Sequence, residues 1–313
     1  MNGLIPAWDW QRVIVAPWSD YASMSLWIVL MGFLAAAACG LVGNYLLLRR
    51  MALVGDAISH SILPGLVVGF VIFKVNSTPV VFGGALAAGL LTVFLIEFIH
   101  KQSRVKVDAA ICITFTTLFA IGVAMMSVLE RGGGIHLDAE CVLYGEIAFV
   151  PLEPPLVWFG VELGPPSVVR MFLVWVGVMG LILLFYKELL LTSFDPGLAS
   201  SLGLSARLWH YGLMAVLALV IVSAFEAVGA ILAVAMLIVP PMFAAQLTNS
   251  LPGRLVLTVL HALLAALIGY HLSVWLQCSA AGAIVVAGAL LFVLVWFPSL
   301  WRIWFGRSSQ IAH

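Results

Sequence analysis

MALVGDAISHSILPGLVVGFVIF, residues 51–73, is apolar enough to lie in a membrane yet carries an aspartate and a histidine, Asp56 and His60. An aspartate at the centre of a membrane helix costs about 2.5–3.5 kcal/mol on insertion scales, so such groups face a bundle interior or a water-filled path. The i,i+4 spacing sets both side chains on one helical face, within reach of a single bound ion. Pro64 follows four positions after His60 and leaves the His60 carbonyl without its helical donor. Pro64-Gly65 is therefore expected to break the helix beside the imidazole, and Ser59 and Ser61 add hydroxyls nearby. Broken helices with freed carbonyls beside polar side chains are how membrane transporters build ion sites. The plainer reading is a kinked helix whose Asp56 and His60 bond only to each other or to neighbouring helices.

The rest of the chain supports the membrane reading. Of its 313 residues 64% are hydrophobic and 9% charged, against about a quarter charged in soluble domains. Charge-free runs cover 21–48, 57–73, 75–96, 109–129, 171–186, 208–225, 227–253 and 255–301. A span needs about 20 apolar residues, so the last run holds two helices. The expected architecture is an all-α polytopic membrane protein of eight or nine spans. Strand alternation is missing and the runs are too long for barrel strands, which excludes an outer-membrane barrel.

Charge sets the expected orientation. Arg49/Arg50, Lys101/Arg104/Lys106, Lys187, Arg207, Arg254 and Arg302/Arg307 cluster at one set of helix ends. Only Arg12, Lys74, Arg131 and Arg170 fall at the other. The positive-inside rule then puts the amino terminus outside and the carboxyl terminus inside, with nine spans. An amino-terminal segment, 1–20, lies outside and carries Trp8, Trp10 and Trp18 as interfacial anchors. It shows no basic region followed by a cleavage site, so no removable signal peptide is expected. The membrane-spanning body covers 21–303, followed by a cytoplasmic tail, 304–313. Cys39 and Cys112 read as small apolar filler within spans, and a Cys141–Cys278 disulfide outside is left open.

Two connections stand out. Residues 130–167 hold Pro151, Pro154, Pro155, Pro165 and Pro166 and read as an irregular external loop. The cytoplasmic stretch 187–207 contains Asp195-Pro196, a helix start with Pro at the first position, and Gly203 as a stop. A short amphipathic helix follows between two spans. Ala36, Gly40 and Asn44, and later Gly282 and Gly288, sit at helix-packing spacing and read as contact faces.

Imidazole plus carboxylate suits zinc, manganese or ferrous iron, and two side chains cannot complete a coordination shell. The remaining ligands are water, backbone carbonyls, other spans or a second subunit. Tandem Pro240-Pro241 frees the carbonyls of Met236 and Leu237 in another span. Glu226 just before it either lines an access path for the cation or sits at the interface. His136 and Asp138 in the external loop either attract cations or are simply solvated. Glu97 and His100 read as interfacial. No G-x-x-x-x-G-K-[ST], H-E-x-x-H or G-x-S-x-G occurs, so a P-loop ATPase, a zinc protease of that type and a serine hydrolase find no support.

Three segments together resemble the membrane-spanning permease of the manganese/zinc/iron ABC importers: RRMALVGDAISHSILPG (49–65), KELLLTSFDPGLASSLGL (187–204) and VGAILAVAMLIVPPMFAAQLT (228–248). HLDAECVLYGEI (136–147) is similar to the family's external segment, and the resemblance covers about 20–303. It implies a type II importer-like bundle in a bacterial cytoplasmic (inner) membrane. It implies a second permease subunit, identical or paralogous, two cytoplasmic ABC ATPase subunits and an external solute-binding protein. By position, Asp56 and His60 match the family's metal site, with no permanently bound cofactor. Asp195, Pro196, Ala199, Leu202 and Gly203 match the helix that couples to the ATPase. Two other readings stay in view. One is a proton-coupled secondary metal carrier titrating at His60; the other is a membrane-embedded metalloenzyme.

Overall fold

The computed structural model describes residues 6–73, 78–131, 147–158 and 160–307. His136, Asp138 and Cys141 lie outside the described residues. The elements are α1 Ala16–Ser19, α2 Ala22–Leu48, α3 Leu53–Phe73, α4 Thr78–Gln102, α5 Val107–Arg131, α6 Pro166–Leu184, α7 Tyr186–Phe194, α8 Pro196–Ser201, α9 Ala206–Val228, α10 Ala230–Leu247, α11 Leu251–Leu276 and α12 Ala280–Arg307. Among the described residues nine of these helices are long and apolar enough to cross a membrane. The run at 255–301 does divide into two, α11 and α12. The turn between them places Gln277 in the left-handed region, φ 52°, while the Cys278 N–H donates back to the Ser273 carbonyl.

The chain divides into two compact units. The first contains Met1–Asn44, Glu146–Val169 and Ala235–His313. Here α2 presents small residues so that backbones can meet, which replaces the hydrophobic drive missing in lipid. Gly40 lies against Thr258 and Pro240, and a methyl at Gly43 would collide with the Leu237 carbonyl oxygen. That oxygen is the one Pro241 leaves without a helical donor, so only glycine gives it a close neighbour there. Asn44 Nδ2 donates to the Gly40 carbonyl and to Thr258 Oγ1, both at 2.9 Å. The face expected from Ala36, Gly40 and Asn44 is thus a packing face. Gly288 also packs, beside His261, whereas Gly282 meets only Ser279 at ordinary contact distance.

The amino-terminal segment is tied to α11. Trp275 Nε1 donates to the Pro6 carbonyl at 2.9 Å, Trp18 Nε1 to His271 Nε2 at 3.3 Å, and Ser25 Oγ to the Pro17 carbonyl at 2.6 Å. The loop before α6 is more ordered than its prolines suggest. Residues Ile147–Leu152 form a 3-10 turn, and Val157–Trp158 (β1) pairs antiparallel with Val161–Glu162 (β2). The Glu153 carboxylate then accepts from the Ser167 N–H at 3.1 Å and its hydroxyl at 2.7 Å, satisfying a donor at the start of α6. The expected irregular loop is corrected over 147–164: proline shapes the 3-10 turn, and a two-residue pairing is too short to leave an alternating pattern.

The second unit contains Tyr45–Gly145 and Arg170–Val234. Its centre is the packing of α3 on α4 and α5, with α9 laid against α3 and α4. Gly65 and Gly84 touch backbone to backbone: a methyl on either would collide with the other's carbonyl oxygen. Gly122 of α5 receives the Pro64 ring, whose Cδ would stand 2.8 Å from an added methyl. The expected helix break at Pro64-Gly65 is therefore corrected, because α3 runs through Pro64 without interruption. Neighbouring helices hold a proline-containing span together where water would not.

A sharp contrast between adjacent glycines tests this packing. Gly83 has open space where a methyl would go, and Gly84 has none. Gly84→Ala is expected to destabilise the detergent-solubilised protein by about 1–3 kcal/mol, lowering its thermal midpoint, while Gly83→Ala leaves the midpoint unchanged or slightly raised.

Candidate metal site and its surroundings

Asp56 falls in the first turn of α3 and His60 one turn later. His60 Nε2 and Asp56 Oδ1 are 3.4 Å apart, a looser contact than a short hydrogen bond. Their side chains are 25% and 38% exposed, so the pair is half-buried with one side open. Two rings of α5 set the imidazole plane. Phe119 meets it edge-on at 5.5 Å and Phe115 lies tilted at 5.9 Å. The pair can present one carboxylate and one imidazole to a cation from the same direction.

The other expected contributors behave differently. Ser59 Oγ donates to the Asp56 carbonyl at 2.8 Å and Ser61 Oγ to the Ala57 carbonyl at 2.7 Å. Both hydroxyls are spent on the helix's own backbone, as buried serines in helices commonly are. Pro64 and Gly65 face α5 and α4 as described above. Among the described residues no three His, Cys, Asp or Glu side chains gather as a metal cluster. Within the described residues the pair therefore offers two donor side chains.

Glu226, near the end of α9, forms an ion pair with Arg170 of α6. The Arg170 guanidinium also lies over the Phe82 ring, 5.5 Å from its centroid. A cation using Glu226 on its way in would compete with this partner.

The connecting helix follows its sequence signature closely. The Asp195 side chain accepts from the Leu198 N–H at 2.9 Å, and Pro196 occupies the first helical position. Gly203 ends the segment at φ 82°, where a side chain would be strained, and the Leu204 N–H closes back on the Ala199 carbonyl at 3.0 Å. Ala199 is fully buried and anchors α8, while Leu202 is 65% exposed and Phe194 and Leu198 also face outward. An apolar edge on a short capped helix is suited to fit a groove in another chain.

Sequence reasoning missed a polar cluster beside this segment. Glu97, expected to be merely interfacial, accepts from Lys101, from Tyr211 Oη at 3.3 Å and from His210 Nε2 at 3.0 Å. On the far side of the His210 ring, Arg49 approaches Nδ1 at 3.4 Å and donates to Ser193 Oγ at 3.0 Å and Thr192 Oγ1 at 3.2 Å. Burial lowers the Arg49 pKa from its ordinary value, though a guanidinium keeps its charge. The one local signal was Glu97 four residues before Lys101, the favoured order of an i,i+4 pair.

A multi-pass helical body with an acid–imidazole pair inside one span and a capped connecting helix fits a membrane transport protein. The sequence profile of the ABC 3 transport family matches residues 21–299, and the chain belongs to that family. It is 45% identical over 261 residues to the manganese transport system membrane protein MntD of Bacillus subtilis (strain 168), covering 83% of this chain and 87% of that one. It is 41% identical over 276 residues to the zinc transport system membrane protein TroD of Treponema pallidum (strain Nichols), covering 88% and 74%. Among solved structures, PsaBC from Streptococcus pneumoniae in complex with Fab matches with a TM-score of 0.73 at 30% identity, over 90% of this chain and 94% of that one.

Because their hydroxyls serve the helix, Ser59→Ala and Ser61→Ala are expected to leave divalent-metal binding by the purified protein unchanged in calorimetry. Weakened binding in either would bring a hydroxyl into the coordination shell.

Proposed function

We propose that this chain is the permease subunit of an ATP-driven importer carrying a divalent transition metal, manganese, zinc or ferrous iron, across the cytoplasmic membrane. The observation that carries this reading is the Asp56–His60 pair inside an apolar span of an ABC 3 family member. Its relatives' names, one a manganese and one a zinc transport protein, support the class of cargo. Oxygen and nitrogen donors of intermediate softness suit that class better than cuprous ion, which prefers sulfur.

Each group has a task in this reading. The Asp56 carboxylate supplies charge that replaces part of the ion's hydration, and His60 supplies a nitrogen lone pair in a plane fixed by Phe115 and Phe119. An incomplete shell holds the ion weakly enough to release it. Water, a backbone carbonyl or the matching pair of a second permease chain, identical or paralogous, completes the coordination. The body from about 21 to 303 forms the conduit, with 1–20 outside and 304–313 inside, following the bias of basic residues.

Energy comes from another chain, since no P-loop lies in this sequence. Cytoplasmic ATPase subunits take up the α8 region, where Asp195 and Pro196 start the helix, Ala199 anchors it, Leu202 faces outward and Gly203 ends it. An external solute-binding protein delivers the cargo; Glu226, His136 and Asp138 are candidates for its path, Glu226 only by exchanging Arg170 for the ion. Family membership speaks against a proton-coupled carrier working alone.

Asp56→Asn and His60→Phe, each reconstituted with the partner ATPase and binding protein in vesicles, are expected to reduce manganese and zinc uptake to background while the complex still assembles. Uptake at the wild-type rate by both variants would remove the pair from the mechanism.

A further inference from the structure

Glu97 and His210 offer the same donor types as the metal pair, only 3.0 Å apart. Charge argues against a second metal stop there. Lys101 already pairs with Glu97, and the Arg49 guanidinium stands against the other side of the imidazole. Two fixed cations occupy the positions an incoming ion would need. The cluster is better read as a linkage, and its hydrogen bonds have a direction.

Arg49 can only donate, so His210 Nδ1 accepts from it. The neutral ring then carries its proton on Nε2, which donates to Glu97. Towards the other side, Arg49 Nε and Nη2 donate to Ser193 and Thr192, two hydroxyls buried near the end of α7. Asp195, which caps α8, comes two residues after Ser193. A continuous polar chain therefore joins α7, the α2–α3 corner, α9 and α4.

The corner has little slack. Arg50 is held at φ 57°, its N–H donates to the Leu47 carbonyl at 3.1 Å, and the Met51 N–H donates to Leu46 at 2.9 Å. The Val54 N–H bonds to Met51 at 3.1 Å, inside the first turn of α3 that carries Asp56. The guanidinium is thus held one residue before a corner whose backbone hydrogen bonds lead into the start of α3.

We infer that Arg49 is the positioning residue that passes movement of the α7–α8 segment to the Asp56–His60 pair, with His210 and Glu97 fixing its guanidinium. This rests on the importer reading above. When the ATPase partner displaces α8, Thr192 and Ser193 travel with it and draw Arg49, which turns the first turn of α3 and the acid on it. Lysine takes the same part poorly, because its three donors radiate from one nitrogen and do not span the acceptors that Arg49 reaches from Nε, Nη1 and Nη2.

The test uses the whole complex in vesicles, with manganese uptake and ATP hydrolysis measured in one preparation and manganese binding measured without ATP. Arg49→Gln, and separately the double variant Thr192→Val/Ser193→Ala, are expected to keep metal binding and ATP hydrolysis while manganese moved per ATP falls about tenfold. Arg49→Lys is expected to restore only part of that ratio. Two results overturn the inference: a wild-type ratio in Arg49→Gln, or hydrolysis, binding and uptake falling in step in both variants, which makes the cluster a structural staple. Wild-type uptake that proceeds without ATP overturns the importer reading itself, and the linkage with it.

Discussion

An ionisable group inside an apolar span must find a partner or a path to water, and this requirement shapes the second unit. Asp56 meets His60 on its own helix, Glu226 meets Arg170, and Glu97 collects Lys101, His210 and Tyr211. Only the first of these pairs leaves both members without a fixed cation. Arg170 and Lys101 stand beside the other two carboxylates, whereas Asp56 stands beside an imidazole on its own helix. A cation attracted to the span finds its one uncompensated acid there. The proposed metal pair differs from the other two in having no lysine or arginine partner.

Close backbone packing makes that arrangement possible. Gly65 meets Gly84 backbone to backbone, bringing α3 to α4, and Gly122 lets α5 come up against the Pro64 ring of α3. Rings from α5 can then reach the imidazole, and the proline is held within a continuous helix. The same device recurs in the first unit, where Gly43 covers the carbonyl that Pro241 deprives of its donor. Proline lies inside a helix in each case, and glycine at the contact lets a neighbouring helix approach closely.

Local signals in the chain were read with good success. Spans follow from uninterrupted apolar length, so the nine span-length helices among the described residues fall on the charge-free runs, with 255–301 divided in two. Asp195-Pro196 and Gly203 are cap chemistry confined to a few residues, and α8 begins and ends accordingly. The i,i+4 spacing of Asp56 and His60 needs nothing beyond helical geometry. What escaped was non-local. Arg49, Thr192, Ser193, His210 and Glu97 are far apart in the chain, and each alone resembles an ordinary residue at a helix end. Ser59 and Ser61 read only as hydroxyls near the pair, because spacing cannot say whether a hydroxyl turns outward or back to its own helix. The hairpin at β1 and β2 is too short to leave a periodic trace, and Pro64 suggested a break because its supporting glycines lie on other helices.

The central claim is that the cargo ion is held by Asp56 and His60 on its way through the membrane. Anomalous X-ray scattering from crystals of the intact complex soaked in zinc tests it most directly. The account predicts a zinc peak about 2.0–2.2 Å from the Asp56 carboxylate and the His60 imidazole. A peak elsewhere in the membrane region, with both side chains free of metal at saturating zinc, would contradict it.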